Sequence, residues 1–152
     1  MARLILLDAG VVGLLCSSPS LSGVVACGAW VEGQIQAGAK VSLADLTDFE
    51  VRGELLRLRA PAKLRGLDQL RSTLGTIAVD FPAWHKAAEF WAIVRRAGQP
   101  TAAPDALDGD AILAAVASTI IQSGDSATIA TTNPGHLGRF PGVDARRWEN
   151  IP

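Results

Sequence analysis

The sequence predicts an α/β fold with a mainly parallel central sheet. Short β-like apolar runs alternate with longer stretches of helical periodicity along the whole chain, the pattern of strand–helix–strand units. The length is 152 residues, with 49% hydrophobic and 19% charged residues, which suits one domain with its own core, expected over 1–152. The same composition excludes several classes. High apolar content with a net charge of −1 excludes disorder, and two cysteines exclude a disulfide scaffold. With 14 Lys and Arg against 15 Asp and Glu, a strongly basic DNA coat protein is also excluded. Any nucleic-acid contact must come from a local patch, for which 11 arginines against 3 lysines leave room.

The elements follow in order. Arg3–Leu7 reads as a buried first strand ending at Asp8, and Ala9–Cys16 as a helix broken by Ser17–Ser22. From about Leu21 to Ala37, Val24, Val25, Ala29, Trp30 and Ile35 recur at helical spacing, and Gly38 supplies the stop. Lys40–Leu43 is a short second strand. Leu46–Leu58 is a helix with Phe49, Val51, Leu55 and Leu58 on one broad face, and Leu64–Leu74 is another. Thr76–Val79 is a third strand. Pro82 suits a first helical turn, and Ala83–Arg96 continues it. Gly98–Leu107 is a Pro/Ala/Asp loop. Asp108 or Asp110 opens a helix through about Ile121, Ala127–Thr131 is a fourth strand, and Asn133–Gly142 is a loop before a last short strand in Val143–Trp148.

Leu4–Leu7 and Val11–Cys16 are apolar with Arg3 in front, so a secretory or lipoprotein signal is the competing reading of the N-terminus. Asp8 interrupts that run, and a carboxylate there opposes insertion by roughly 2.5–3.5 kcal/mol. No other apolar run approaches the length of a membrane span. Cys16 and Cys27 are expected as reduced core thiols, and no Cys/His cluster has zinc spacing. The expectation is a cytoplasmic protein without membrane contact.

Asp8 falls at the C-terminal end of the first strand, the edge where open parallel sheets bind ligands, although Asp is equally a good helix N-cap. Glu50 neighbours Phe49 and Val51 and shares a face with Thr47 and Gly53. It can point along the apolar stripe towards the sheet, or belong to a solvated face with Asp48, Arg52, Glu54 and Arg57. Asp110 precedes a small-residue helix, Ala111–Ala117, and can cap it or aim into a cleft; Asp105 and Asp108 read as solvated or capping. Thr131, Thr132 and Asn133 follow the fourth strand, where they either serve the turn or hold a water, a phosphate or a metal's surroundings. His136 reads as a loop residue or a ligand, and His85 as structural. Three carboxylates brought together repel unless a cation neutralises them. Hard oxygen donors favour Mg²⁺ or Mn²⁺, and such a site suits phosphodiester hydrolysis.

These residues fall in four segments: LILLDAG with Asp8, LTDFEVRGELLRL with Glu50, DAILAAVA with Asp110, and TIATTNPGHLGRF with Thr131 and Asn133. In that order and spacing the chain resembles, over nearly its whole length, the PIN domain (PilT N-terminus) of VapC-like ribonucleases. The resemblance implies a three-layer α/β/α Rossmann-like sandwich and a Mg²⁺- or Mn²⁺-dependent endoribonuclease, often a homodimer. It implies metal ligation by Asp8, Glu50 and Asp110, a site completed by Thr131 and Asn133, and a small antitoxin as partner. Many members carry Asp at the place of Asn133 or three residues on, where this chain has Asn133 and His136; a neutral amide lowers the site's negative charge.

Substrate contact is expected from arginines near the acidic edge, Arg139 first, then Arg52 and Arg57, as phosphate-positioning groups on RNA. Trp84 and Trp91, on one helix, are expected in the core or at a dimer interface. A PIN fold that binds RNA with little or no catalysis is the alternative that the incomplete acid set supports. A haloacid-dehalogenase-type phosphohydrolase needs a second Asp where Gly10 stands, and a dinucleotide-binding oxidoreductase needs a G-x-G-x-x-G that does not follow the first strand.

Overall fold

The computed structural model describes residues 1–98 and 104–152. Among the described residues five strands form one sheet: β1 (Arg3–Leu7), β2 (Lys40–Ala44), β3 (Thr76–Ile77), β4 (Ser126–Thr131) and β5 (Ala145–Arg147). Their order is β3-β2-β1-β4-β5, and every pairing is parallel. Parallel neighbours need crossovers, and helices supply them. These are α1 (Ala9–Leu15), α2 (Val24–Gln36), α3 (Asp45–Arg57), α4 (Pro61–Leu74), α5 (Phe81–Ala97), α6 (Pro104–Gln122) and α7 (Pro134–Leu137), with a 3₁₀ turn at Trp148–Asn150.

The central strand β1 is buried on both faces, which is why it reads as an unbroken apolar run rather than an alternation. Ile5 and Leu7 point into one core layer with Val11, Val12, Cys27, Leu43, Val51, Leu55 and Leu67. Leu4 and Leu6 point into the other with Ala83, Leu113, Val116, Ala117 and Ile129. The small residues of α6 let that helix lie close to the sheet, and a third cluster, with Phe90 and Phe140, packs α5 onto α6. The result is a three-layer α/β/α sandwich. The chain runs from β1 outwards through β2 and β3, then returns to the far side of β1 as β4. The C-terminal ends of β1 and β4 therefore flank the point where the direction of winding reverses, the usual ligand crevice of such sheets.

Several local expectations need correction. The helix before β4 begins at Pro104, so Asp110 lies well inside α6 and does not cap it. The loop expected over Gly98–Leu107 lies partly outside the described residues, as does the side chain of Asp105, and its last residues are helical. The broad apolar face expected on α3 is narrower: Thr47, Val51 and Leu55 are buried, whereas Phe49 and Leu58 face outwards. Part of 133–142 forms the short helix α7 because Pro134 presets its first turn and Asn133 caps it. Trp84 and Trp91 are exposed and do not belong to the core, because Ala83, Ala87, Phe90 and Val94 take the inward face of α5. Cys16 and Cys27 are buried free thiols, as expected. Among the described residues no helix is long and apolar enough to cross a membrane.

Candidate active site

Asp8 terminates β1 in extended conformation, and one carboxylate oxygen accepts the Val11 amide at 2.9 Å, capping α1. Capping is only part of its surroundings. The Thr131 hydroxyl, at the end of neighbouring β4, also acts on this carboxylate and favours its charged form. Burial pushes the Asp8 carboxyl above its ordinary range, and Thr131 and the backbone hydrogen bonds from Val11 and Gly10 pull against that rise. Thr131 is fully buried and its Oγ1 also accepts the Asn133 amide at 3.0 Å, tying the strand end to the turn.

Glu50 projects from the middle of α3 towards α6. Its Oε2 lies so close to Gly109 that a Cβ built there would stand 2.7 Å away. Gly109 precedes Asp110, so Glu50 and Asp110 meet across the α3–α6 contact. Partial burial of its carboxylate, then the charges of Asp110 and Asp8, push Glu50 up from its ordinary range, even though much of the residue's surface is exposed. Asp110 is pushed up by burial and by Asp8, with His136 and Arg139 opposing the rise. Each pair among Asp8, Glu50 and Asp110 is thus electrostatically coupled, although the three residues come from β1, α3 and α6. A similar close approach occurs at Gly10, where a Cβ would stand 2.6 Å from Thr132 Oγ1 and 3.4 Å from Asp8 Oδ1.

The remaining residues singled out by sequence occupy varied positions. Asn133 is exposed, and its Oδ1 accepts the Gly135 amide at 3.4 Å, so its amide caps α7. His136 Nδ1 is 3.9 Å and Arg139 Nη2 3.6 Å from Asp110 Oδ2. Arg139 Nε donates to the His136 carbonyl at 2.8 Å, and the Arg139 side chain is only 10% exposed. Arg52 is held by two acids, with Nε and Nη2 on Asp48 at 3.1 and 3.0 Å and Nη2 on Asp68 at 2.8 Å. Arg57 pairs with Glu54 on the same exposed face. His85 packs against Phe81, with ring centroids 4.3 Å apart and the planes tilted by 47°.

The donor chemistry of Asp8, Glu50 and Asp110 fits a hard divalent cation: oxygen donors only, crowded enough to raise one another's proton affinity. Among the described residues no three His, Cys, Asp or Glu side chains stand close enough together to hold a metal ion as they are placed.

Sequence reasoning missed two residues. Arg147 ends β5 beside Thr131, and its Nη1 donates to the Thr132 carbonyl at 3.0 Å while half its side chain stays exposed. It belongs to a three-residue strand whose register no periodicity reveals. Gly109 was passed over because a glycine beside an acid carries no chemical signature; its place one residue before Asp110 was the available clue.

The sheet order and the crossover helices give a three-layer α/β/α fold with an all-parallel sheet, the architecture that the sequence resemblance implied. No protein-family profile and no curated protein matches the chain at a significant level. Solved structures do match in shape. VapBC2 from Rickettsia felis, bound to a DNA fragment from its promoter, superposes with a TM-score of 0.76 at 14% identity over 96% of this chain and 99% of the other. VapBC-1 from nontypeable Haemophilus influenzae gives 0.71 at 12% identity over 97% and 100%. VapBC-5 from Mycobacterium tuberculosis, a member of the VapBC family of toxin–antitoxin systems, gives 0.59 at 17% identity over 95% and 97%. At such identities the likeness shows the fold, and the chain has it along nearly its full length.

Proposed function

We propose that this chain is a Mg²⁺- or Mn²⁺-dependent endoribonuclease and the toxin of a toxin–antitoxin pair. One observation carries the reading: Glu50 Oε2 reaches across to Gly109, the neighbour of Asp110, while Asp8 ends β1 at the switch point of the sheet. In this reading Asp8, Glu50 and Asp110 hold the cation. When bound, it polarises a phosphodiester and lowers the pKa of an attacking water. Thr131 keeps the Asp8 carboxylate in place, and Asn133 completes the rim with a neutral amide. Arg52 is engaged by two acids and Arg139 is buried; Arg147, beside Thr131, pairs with Glu149 at 3.2 Å but keeps half its side chain exposed, so we assign backbone-phosphate contact first to Arg147.

The solved neighbours support a toxin role through their names, and a small antitoxin is the proposed protein partner. A homodimer in the cytoplasm, built from one domain per chain, completes the reading. Two exposed apolar grooves are available for such partners. One lies between α5 and α6 around Trp84, Trp91 and Ile112; the other lies between α2 and α4 around Val31, Ile35 and Leu70.

The Asn133 amide, used as a helix cap in place of an acid, favours a second reading: RNA binding with weak or no catalysis. Incubating purified protein with RNA and Mn²⁺ separates the two. Cleavage that stops with EDTA and in Asp8→Asn supports the nuclease. RNA retention without cleavage supports the second reading, and cleavage that survives both treatments overturns the site assignment.

A further inference from the structure

We propose that Arg139 is the resident counter-cation of the acidic cluster, a positioning residue that sets how much negative charge an incoming divalent cation meets. Its side chain is nine-tenths buried, with Nε fixed on the His136 carbonyl at 2.8 Å and Nη2 3.6 Å from Asp110 Oδ2. Among the described residues, neither Nη1 nor Nη2 has a hydrogen-bond acceptor, and both are shut off from solvent. A buried guanidinium with two unsatisfied nitrogens is costly unless nearby negative charge compensates it. Asp110 provides that charge, and the Phe140 ring lies 5.7 Å from the guanidinium. Such sealed nitrogens cannot grip a phosphate from where they stand, which sets this role apart from substrate contact.

The charge arithmetic gives the consequence. Three ionised carboxylates carry −3; with Arg139 the cluster carries −2, the complement of one divalent cation. Arg139 therefore steadies the metal-free protein and weakens cation binding at the same time, two effects of opposite sign. A residue that merely packs would lower both stability and affinity on removal.

The cation arm of the test rests on the proposed metal site; the stability arm does not. In EDTA, urea unfolding of Arg139→Met, Asp110→Asn and the double variant forms a double-mutant cycle. We expect Arg139→Met to lower stability, with Asp110→Asn recovering part of that loss. The expected coupling is at least fivefold in the unfolding constant, and additive effects overturn the proposal. By calorimetry with Mn²⁺ alone, Arg139→Met should bind about tenfold more tightly than wild type, with Arg139→Lys restoring weaker binding. Unchanged or weaker binding by Arg139→Met overturns the proposal. If Arg139→Met fails to fold, Arg139→Gln takes its place in both arms. A wild type that binds no Mn²⁺ overturns the metal site instead, and the EDTA cycle still decides the role of Arg139.

Discussion

Gly109 sits inside α6, where glycine ordinarily costs roughly 0.5–1 kcal/mol relative to alanine. Its Cβ position is taken by Glu50 Oε2, 2.7 Å away. Gly109→Ala is therefore expected to leave stability unchanged or raise it by up to about 1 kcal/mol, because the Glu50 carboxylate is a flexible end that can swing aside. Mn²⁺-dependent RNA cleavage should fall at least tenfold, since Glu50 then leaves the cluster; urea unfolding beside a cleavage assay checks both. Asp8→Asn is the complementary case. Asn caps helices about as well as Asp, so the α1 cap survives, cluster repulsion drops, and stability should not fall while cleavage is lost. The acids were legible in the sequence because each follows or faces an apolar run of clear periodicity. Gly109 and Arg147 were not, since what matters at each is a neighbour far away in the chain.

At the scale of elements, β1 was legible from its uninterrupted apolar run, and its burial makes it the least replaceable strand. Leu7 is fully buried, so Leu7→Ala should cost about 2–5 kcal/mol, read by urea unfolding. Where α6 begins was not legible, because Pro104 opens a helix in a stretch whose Pro, Ala and Asp residues look like loop. The outward turn of Phe49 and Leu58 was equally hidden: the core accepts Thr47, and the faces of α3 follow α4 and α6 more than residue polarity. Cys16 closes α1 and Cys27 lies within α2, and burial pushes both thiols up to about 11. The sign follows from linkage. Above a pH of about 9 the unfolded chain ionises these thiols while the folded one does not, so the stability they hold is lost as pH rises towards 11. Native protein at a pH of about 8 should therefore resist a thiol reagent that labels both cysteines at once in urea, and labelling kinetics decide it.

Across the whole molecule, the site is a stress that the fold carries. Asp8, Glu50 and Asp110 all have carboxyls raised above their ordinary values near 4, so they hold protons more tightly folded than unfolded. Their contribution to stability is therefore lost as pH climbs from the ordinary carboxylate range through their raised values. Metal-free protein should lose stability as pH climbs above the ordinary carboxylate range near 4, and Asp110→Asn should reduce that loss, measured as urea midpoints. Mn²⁺ should raise the melting temperature at neutral pH and EDTA should reverse the gain, because a ligand that binds only the folded state stabilises it. The α/β layering was legible as a whole since strand and helix periodicities alternate cleanly; the complete parallelism of the sheet was less so, because β3 and β5 are too short to announce a direction. The strand order carries a last consequence. β1 precedes β2 in the chain but finds its second neighbour only when β4 has been made, more than a hundred residues later. Until then Asp8 lacks Thr131, and α6 has no finished floor to lie on. The acidic edge is thus assembled late: a chain that stops short of β4 holds Asp8, Glu50 and the start of α6 without the strand end that brings them to one place.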